Sequence, residues 1–189
     1  MNSDSSECAY QHELEAAQNY LDAEASELSY LITLVLEQDV SCQRVQGLLE
    51  QAYNRLQKLR QGNTEISSNV ANPDLSEAIK LAGTALCAGE ELSLVNADQA
   101  YEQAYRHCIE QQNLTQLAGP IRAQQAMVAT VMLDFRHAAA LYAEAAAASG
   151  DYPDAQLRYL GDQASILEDL GREFMDNEAL QAAVDLYEK

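Results

Sequence analysis

The sequence predicts an all-α fold. Apolar residues recur every three or four positions through most of its 189 residues. No segment alternates with period two over a useful length. Gly and Pro, at 8 and 3, are too scarce for the many turns of a β or α/β protein. Hydrophobic residues at 48% and charged residues at 22% exclude a disordered composition. The length suits one domain, or one domain with an appended hairpin. A chain of this size buries roughly 70% of its unfolded surface, so a core forms without staples.

The first helix is expected from about Glu7 to Gln38. Tyr10, Leu14, Ala17, Leu21, Ala25, Leu28, Ile32 and Val35 make one apolar stripe along it. After a break at Asp39–Cys42, a second helix carries Val45, Leu49, Ala52, Leu56 and Leu59, and Gly62 reads as its end. Residues 1–43 hold nine acids and no Lys or Arg, whereas residues 44–60 hold Arg44, Arg55, Lys58 and Arg60 against Glu50 alone. Packed as an antiparallel hairpin, the two would attract across their rim.

Residues 61–74 are polar and aperiodic and contain Asn72-Pro73-Asp74, a turn signal. They divide the chain into a hairpin (1–62), a linker (63–74) and a helical region (75–189). Asp74 with Glu77 resembles a capping box, opening a helix from Leu75 to about Leu94. Asn96 is the expected cap of the next helix, which Asn113 closes. Gly119-Pro120 is expected to open a helix. Asp134 reads as a cap, and the Ala-rich segment 136–149 is stopped by Gly150. Pro153 opens a long helix ending near Gly171, and the last runs from about Asp176 to Glu188.

The C-terminal half repeats itself. Asp134-Phe135-x-x-Ala138 matches Gly150-Asp151-Tyr152-Pro153-Asp154-Ala155, and Gly171-Arg172-Glu173-Phe174 leads to Ala179 in a looser copy. Ala97, Tyr101 and Ala104 have the spacing of Ala138, Tyr142 and Ala145. Ala at a helix crossing permits close approach, and the aromatic one turn later fills the space where the helices splay. Each pair then leaves an apolar face that the next pair covers. These residues resemble the tetratricopeptide repeat (TPR) family over roughly residues 75–189. The turn-and-helix pattern is carried by Phe135, Ala138, Tyr142 and Ala145, and by Gly150 to Ala155 with Tyr159. The sequence departs from the family in having no Trp and in an uneven unit length. The resemblance implies antiparallel helix pairs stacked as a right-handed superhelix with a concave, peptide-binding groove. Should helices 120–133 and 153–170 be the first of each pair, Arg122, Gln125, Arg158 and Tyr159 line that groove. The other register moves it to helices 136–149 and 174–188.

Signals for chemistry are absent. His12, His107 and His137 are scattered, and only Asp134-x-x-His137 has metal-ligand spacing, at a helix break where Asp134 is a cap. There is no phosphate loop and no nucleophile elbow. Glu90-Glu91 and Glu168-Asp169 are neighbours whose side chains diverge on a helix. No catalytic residue, metal or cofactor is assigned, and no enzyme is expected. Tyr101, Tyr142 and Tyr159 read as core.

Thirty acids against eleven bases give a net charge of −19. That field repels phosphate, so neither nucleic acid nor anionic membrane is an expected partner. Cys8, Cys42, Cys87 and Cys108 show no paired spacing, and the first residues lack a signal-peptide pattern. No apolar run is long enough to span a bilayer. The expectation is a cytoplasmic protein–protein interaction module, an acidic adaptor or chaperone-like scaffold that takes a basic or amphipathic peptide. Small acidic helical-repeat chaperones of bacterial secretion systems are similar in size and charge. The alternative is a helical-bundle ligand-binding protein or enzyme without a recognisable motif. The final helix closes on Val184, Leu186 and Tyr187 with no polar helix after it. That face is expected to meet the N-terminal hairpin, a second subunit or more of a longer array. Self-pairing through the N-terminal hairpin or the last helix would give a homodimer.

Overall fold

A computed structural model describes residues 30–33, 35, 42–88, 91–111 and 114–188. Among them all regular structure is helical, and no helix is long and apolar enough to cross a membrane. Among the described residues, 30–33 and 35 are helical, and seven helices with described bounds follow them: α1 (Cys42–Asn69), α2 (Pro73–Ala88), α3 (Glu91–Glu110), α4 (Thr115–Val131), α5 (Phe135–Ala148), α6 (Pro153–Phe174) and α7 (Asn177–Tyr187). Each packs on the next in sequence, and α1 lies in addition against α4.

Helix starts follow local chemistry. Asp134 caps α5 by accepting from the His137 amide at 3.1 Å, as expected. Pro153 is the first residue of α6, where no amide partner is missed. Asp176 caps α7, accepting from the amides of Glu178 and Ala179 at 3.1 Å each.

Elsewhere the boundaries differ from expectation. Gly62 does not end its helix: α1 continues to Asn69, through most of the segment read as a linker. Packing carries it on. Asn63 is buried, Ile66 joins the core, and Thr64, Ser68 and Asn69 each bond back to a carbonyl of the preceding turn. Asn72, rather than Asp74, caps α2, accepting from the Leu75 amide at 3.0 Å. Asp74 lies in the first turn of α2, where its charge suits the helix dipole. Asn96 sits inside α3 and caps nothing. α4 begins at Thr115, so Pro120 lies within it rather than at its start.

Two cores meet at α4. One joins Leu56, Leu59, Leu75, Ile79, Leu86, Tyr101 and Cys108 to Ile121 and Val128. The other joins Ala126 and Ala129 to Phe135, Ala138, Tyr142, Ala145, Tyr159 and Ile166. α1, α3 and α5 all pack on α4, and residues on most of its circumference are buried. Of the first stripe, Ile32 and Val35 are buried, one in each core. Its residues from Tyr10 to Leu28 lie outside the described residues.

Small residues set the helix spacing. At Gly119 a Cβ would collide with Ser149 Oγ and lie 3.1 Å from the Ala145 carbonyl oxygen. The start of α4 therefore passes the end of α5 so closely that a Cβ fits only if Ser149 turns its hydroxyl away and the helices give slightly. Tyr101, Tyr142 and Tyr159 are buried, as their spacing predicts.

Candidate interaction surfaces

Arg122 and Gln125 do not line an open groove. Both are buried, one helical turn apart, on the side of α4 that meets α3. Opposite them on α3 stands the row Asp98, Glu102 and Tyr105, also one turn apart. Arg122 forms ion pairs with Glu102 and with Glu144 of α5, donates to Gln125, and lies 3.8 Å from the Tyr105 ring centroid. Gln125 donates to Asp98 at 3.0 Å. Burial works against the charge of Glu102, but the Arg122 and Arg106 guanidiniums outweigh it and hold its carboxyl below the usual range. For Arg122, burial likewise opposes the charge, and Glu102 and Glu144 outweigh it. Arg122, Glu102, Glu144, Gln125 and Asp98 each have a partner within the chain. The cluster ties α3, α4 and α5 together and leaves little for a ligand.

Arg158 and Tyr159 stand apart on α6. Tyr159 is buried, and exposed Arg158 folds back over its ring, donating to its hydroxyl at 2.9 Å. The four residues therefore make two separate clusters. In the register that makes α2, α4 and α6 first helices, α1 already occupies their common side. It packs on α2 and α4, and Arg55 pairs with Asp169 of α6 while resting 5.5 Å from the Phe135 ring centroid.

α6 and α7 expose large apolar side chains. α7 has 11 residues and α6 has 22, so α7 covers only part of its neighbour. Tyr187, the last residue of α7, donates its hydroxyl to Glu168 at 3.4 Å. The N-terminal half of α6 extends beyond that point and carries Leu157, which is 65% exposed. On α7, Val184 is 46% and Tyr187 59% exposed, while only Ala179 and Ala183 are buried. Gly161 and Ser165 lie on the α6 row between Leu157 and Glu168, so no large side chain interrupts it. Residues 153–188 hold nine acids against Arg158 and Arg172. Arg172 pairs with Glu168, and Arg158 is turned to Tyr159. The exposed apolar side chains thus stand in a strongly negative field. Tyr187 registers it: partial burial, then the nearby Glu168 carboxylate, raises its hydroxyl above the ordinary tyrosine value.

Among the described residues no group of three or more His, Cys, Asp or Glu is arranged to hold a metal. Buried Cys108 is a thiol pushed up to about 11 by desolvation, which disfavours its nucleophilic form. Comparison with family models, curated proteins and solved structures finds no match to the chain. The fold defines the class, an all-helical protein built of sequentially packed helices.

The terminal surface was half visible in the sequence, through Val184, Leu186 and Tyr187. Leu157 carries no such sequence signal, because its exposure depends on where α7 stops. The Arg122 cluster had one sequence signal, the spacing of Asp98, Glu102 and Tyr105 on one helix face.

Proposed function

We propose that the chain is a protein–protein interaction module of the acidic adaptor or chaperone-like kind, and that α6 and α7 carry its docking surface. The observation that supports this reading is the exposure of Leu157, Val184 and Tyr187 within a segment of nine acids and two bases. An apolar strip with a negative rim suits an amphipathic helix whose own rim is Lys and Arg. Apolar contact supplies affinity, and the charges supply encounter rate and orientation. The stacking of Phe135, Ala138, Tyr142 and Ala145 in one core supports a TPR-like arrangement of the helix pairs. The peptide's place in this reading is the end of the array, because α1 fills the side that a groove would use.

Fluorescence anisotropy with a labelled Lys/Leu amphipathic helical peptide tests the reading. Binding is expected, weakening as salt rises, and Leu157→Asp is expected to weaken it by about tenfold, or ~1.4 kcal/mol. Leu157 is solvent-exposed, so the substitution leaves the melting temperature nearly unchanged. Equal binding by both proteins would contradict the proposal. A second copy of the chain is the rival occupant, and sedimentation without peptide distinguishes it.

A further inference from the structure

The chain's scarce basic side chains are unevenly placed. Lys58 and Arg60 on α1, with Lys80 on α2, border two adjoining clefts. The first cleft, about 680 Å³, lies between α1 and α2, with Asn63, Ser67, Lys80, Gly83 and Leu86 in its wall. The second, about 720 Å³, continues along α1 past Asn54, Gln57 and Lys58 and shares Arg60 and Thr64 with the first. Among the described residues no acid lines either cleft, although Glu50, Glu65, Asp74 and Glu77 stand on the same helices. In a chain of net charge −19, this strip is an exception.

One buried group points into it. Asn63 is only 7% exposed, and its Oδ1 accepts from the Tyr101 hydroxyl at 2.7 Å. That bond orients the amide so that Nδ2, a donor, faces Gly83 and the cleft. Among the described residues Nδ2 has no hydrogen-bond partner. A Cβ at position 83 would collide with it, so the glycine is what gives the amide its place. The Lys80 ammonium and the Ser67 hydroxyl likewise have no partner among the described residues. Arg60 is anchored at the same wall, donating from Nε to the Leu86 carbonyl at 3.1 Å. The Thr64 and Thr84 hydroxyls donate to the carbonyls of Arg60 and Lys80 at 3.0 Å. The donors left for a ligand are therefore the Asn63 amide, the Ser67 hydroxyl and the Lys80 ammonium, a set suited to an oxyanion, whereas Lys58 already acts on the Asp162 carboxyl of α6.

We infer that this strip binds an extended acidic peptide, its carboxylates meeting Asn63 and Lys80 and its aliphatic stems resting on Leu86 and Gly83. The stretch from Asn54 to Ser67 rises about 20 Å as a helix, the span of roughly six extended residues. A long polynucleotide shares the charge, but the net field of the whole chain repels it. The inference is independent of the α6–α7 surface, which has the opposite sign.

Anisotropy with a labelled Glu-rich octapeptide, its Gln counterpart and a phosphoserine version tests it on the full chain. The Glu peptide is expected to bind at least about tenfold more tightly than the Gln peptide, and less tightly as salt rises. Lys80→Glu, at an exposed position, is expected to remove about tenfold of that affinity, while Lys80→Arg retains it. Asn63→Asp keeps an acceptor for Tyr101 but replaces the free donor with a carboxylate, and is expected to abolish binding. Equal binding of the Glu and Gln peptides, or full affinity in Lys80→Glu, would overturn the inference. Binding of the phosphoserine peptide alone would also overturn it, in favour of a phosphate site.

Discussion

Replacing Arg122 with Met tests the cluster that joins α3, α4 and α5. The Arg122 side chain is 10% exposed and serves Glu102, Glu144 and Gln125 at once. Methionine keeps the aliphatic stem but removes the charge, its hydrogen bonds and the stacking on Tyr105. A hydrogen bond to a charged group contributes about 1.5–3 kcal/mol, and a partly exposed cation–π contact about 0.5–1 kcal/mol. Glu102 and Glu144 are 29% and 49% exposed, so both regain water once the guanidinium is gone. The loss therefore falls well short of that for a fully buried pair, at about 2–3 kcal/mol. Urea unfolding followed by circular dichroism reads it as a lower midpoint at unchanged slope. The pH dependence gives a second reading. Despite the opposing effect of burial, Arg122 and Arg106 lower the Glu102 carboxyl in the folded chain. Its stabilisation is thus complete above the unfolded value near 4.3 and is lost as pH falls through the lower folded value. Arg122→Met should flatten that acid limb. A stability change below about 0.5 kcal/mol, the range of ordinary surface substitutions, would refute the assignment of Arg122 as a structural tie.

Gly119→Ala is expected to cost about 1–3 kcal/mol by forcing α4 from α5, because its Cβ meets Ser149 and the Ala145 carbonyl; thermal melting checks it. Met175 follows α6 with φ 57°, in the left-handed region. Met175→Gly should therefore raise stability by about 0.5–1 kcal/mol, since relief of strain exceeds the added chain entropy. Cys108, buried and with its thiol raised to about 11, should resist alkylation at neutral pH until the chain unfolds. Peptide mapping after labelling with and without denaturant reads this residue apart from the other cysteines.

The periodicity of apolar residues made the helices legible, and side-chain caps such as Asp134 and Asp176 made several starts legible. The failures share one cause. Gly62, Asn63 and Thr64 form a polar, turn-like stretch, yet tertiary packing decides their state. Asn63 is drawn into the core by Tyr101, 38 residues away, and the helix follows. Gly119-Pro120 resembles a helix start, but Leu117 and Ala118 have core partners of their own, and α4 forms ahead of the proline. Side-chain direction was the other blind spot. The sequence puts Arg122 and Gln125 on one face of one helix. Whether that face meets solvent or the acids of α3 depends on which neighbours cover α4, and periodicity does not encode that.

Hydrogen–deuterium exchange of the full chain, with and without the Lys/Leu peptide at saturation, tests most directly the proposal that the exposed surface of α6 and α7 receives a basic amphipathic helix. New amide protection is expected to concentrate in Pro153–Phe174 and Asn177–Tyr187. Protection confined to α1 and α2, or none anywhere, would contradict it.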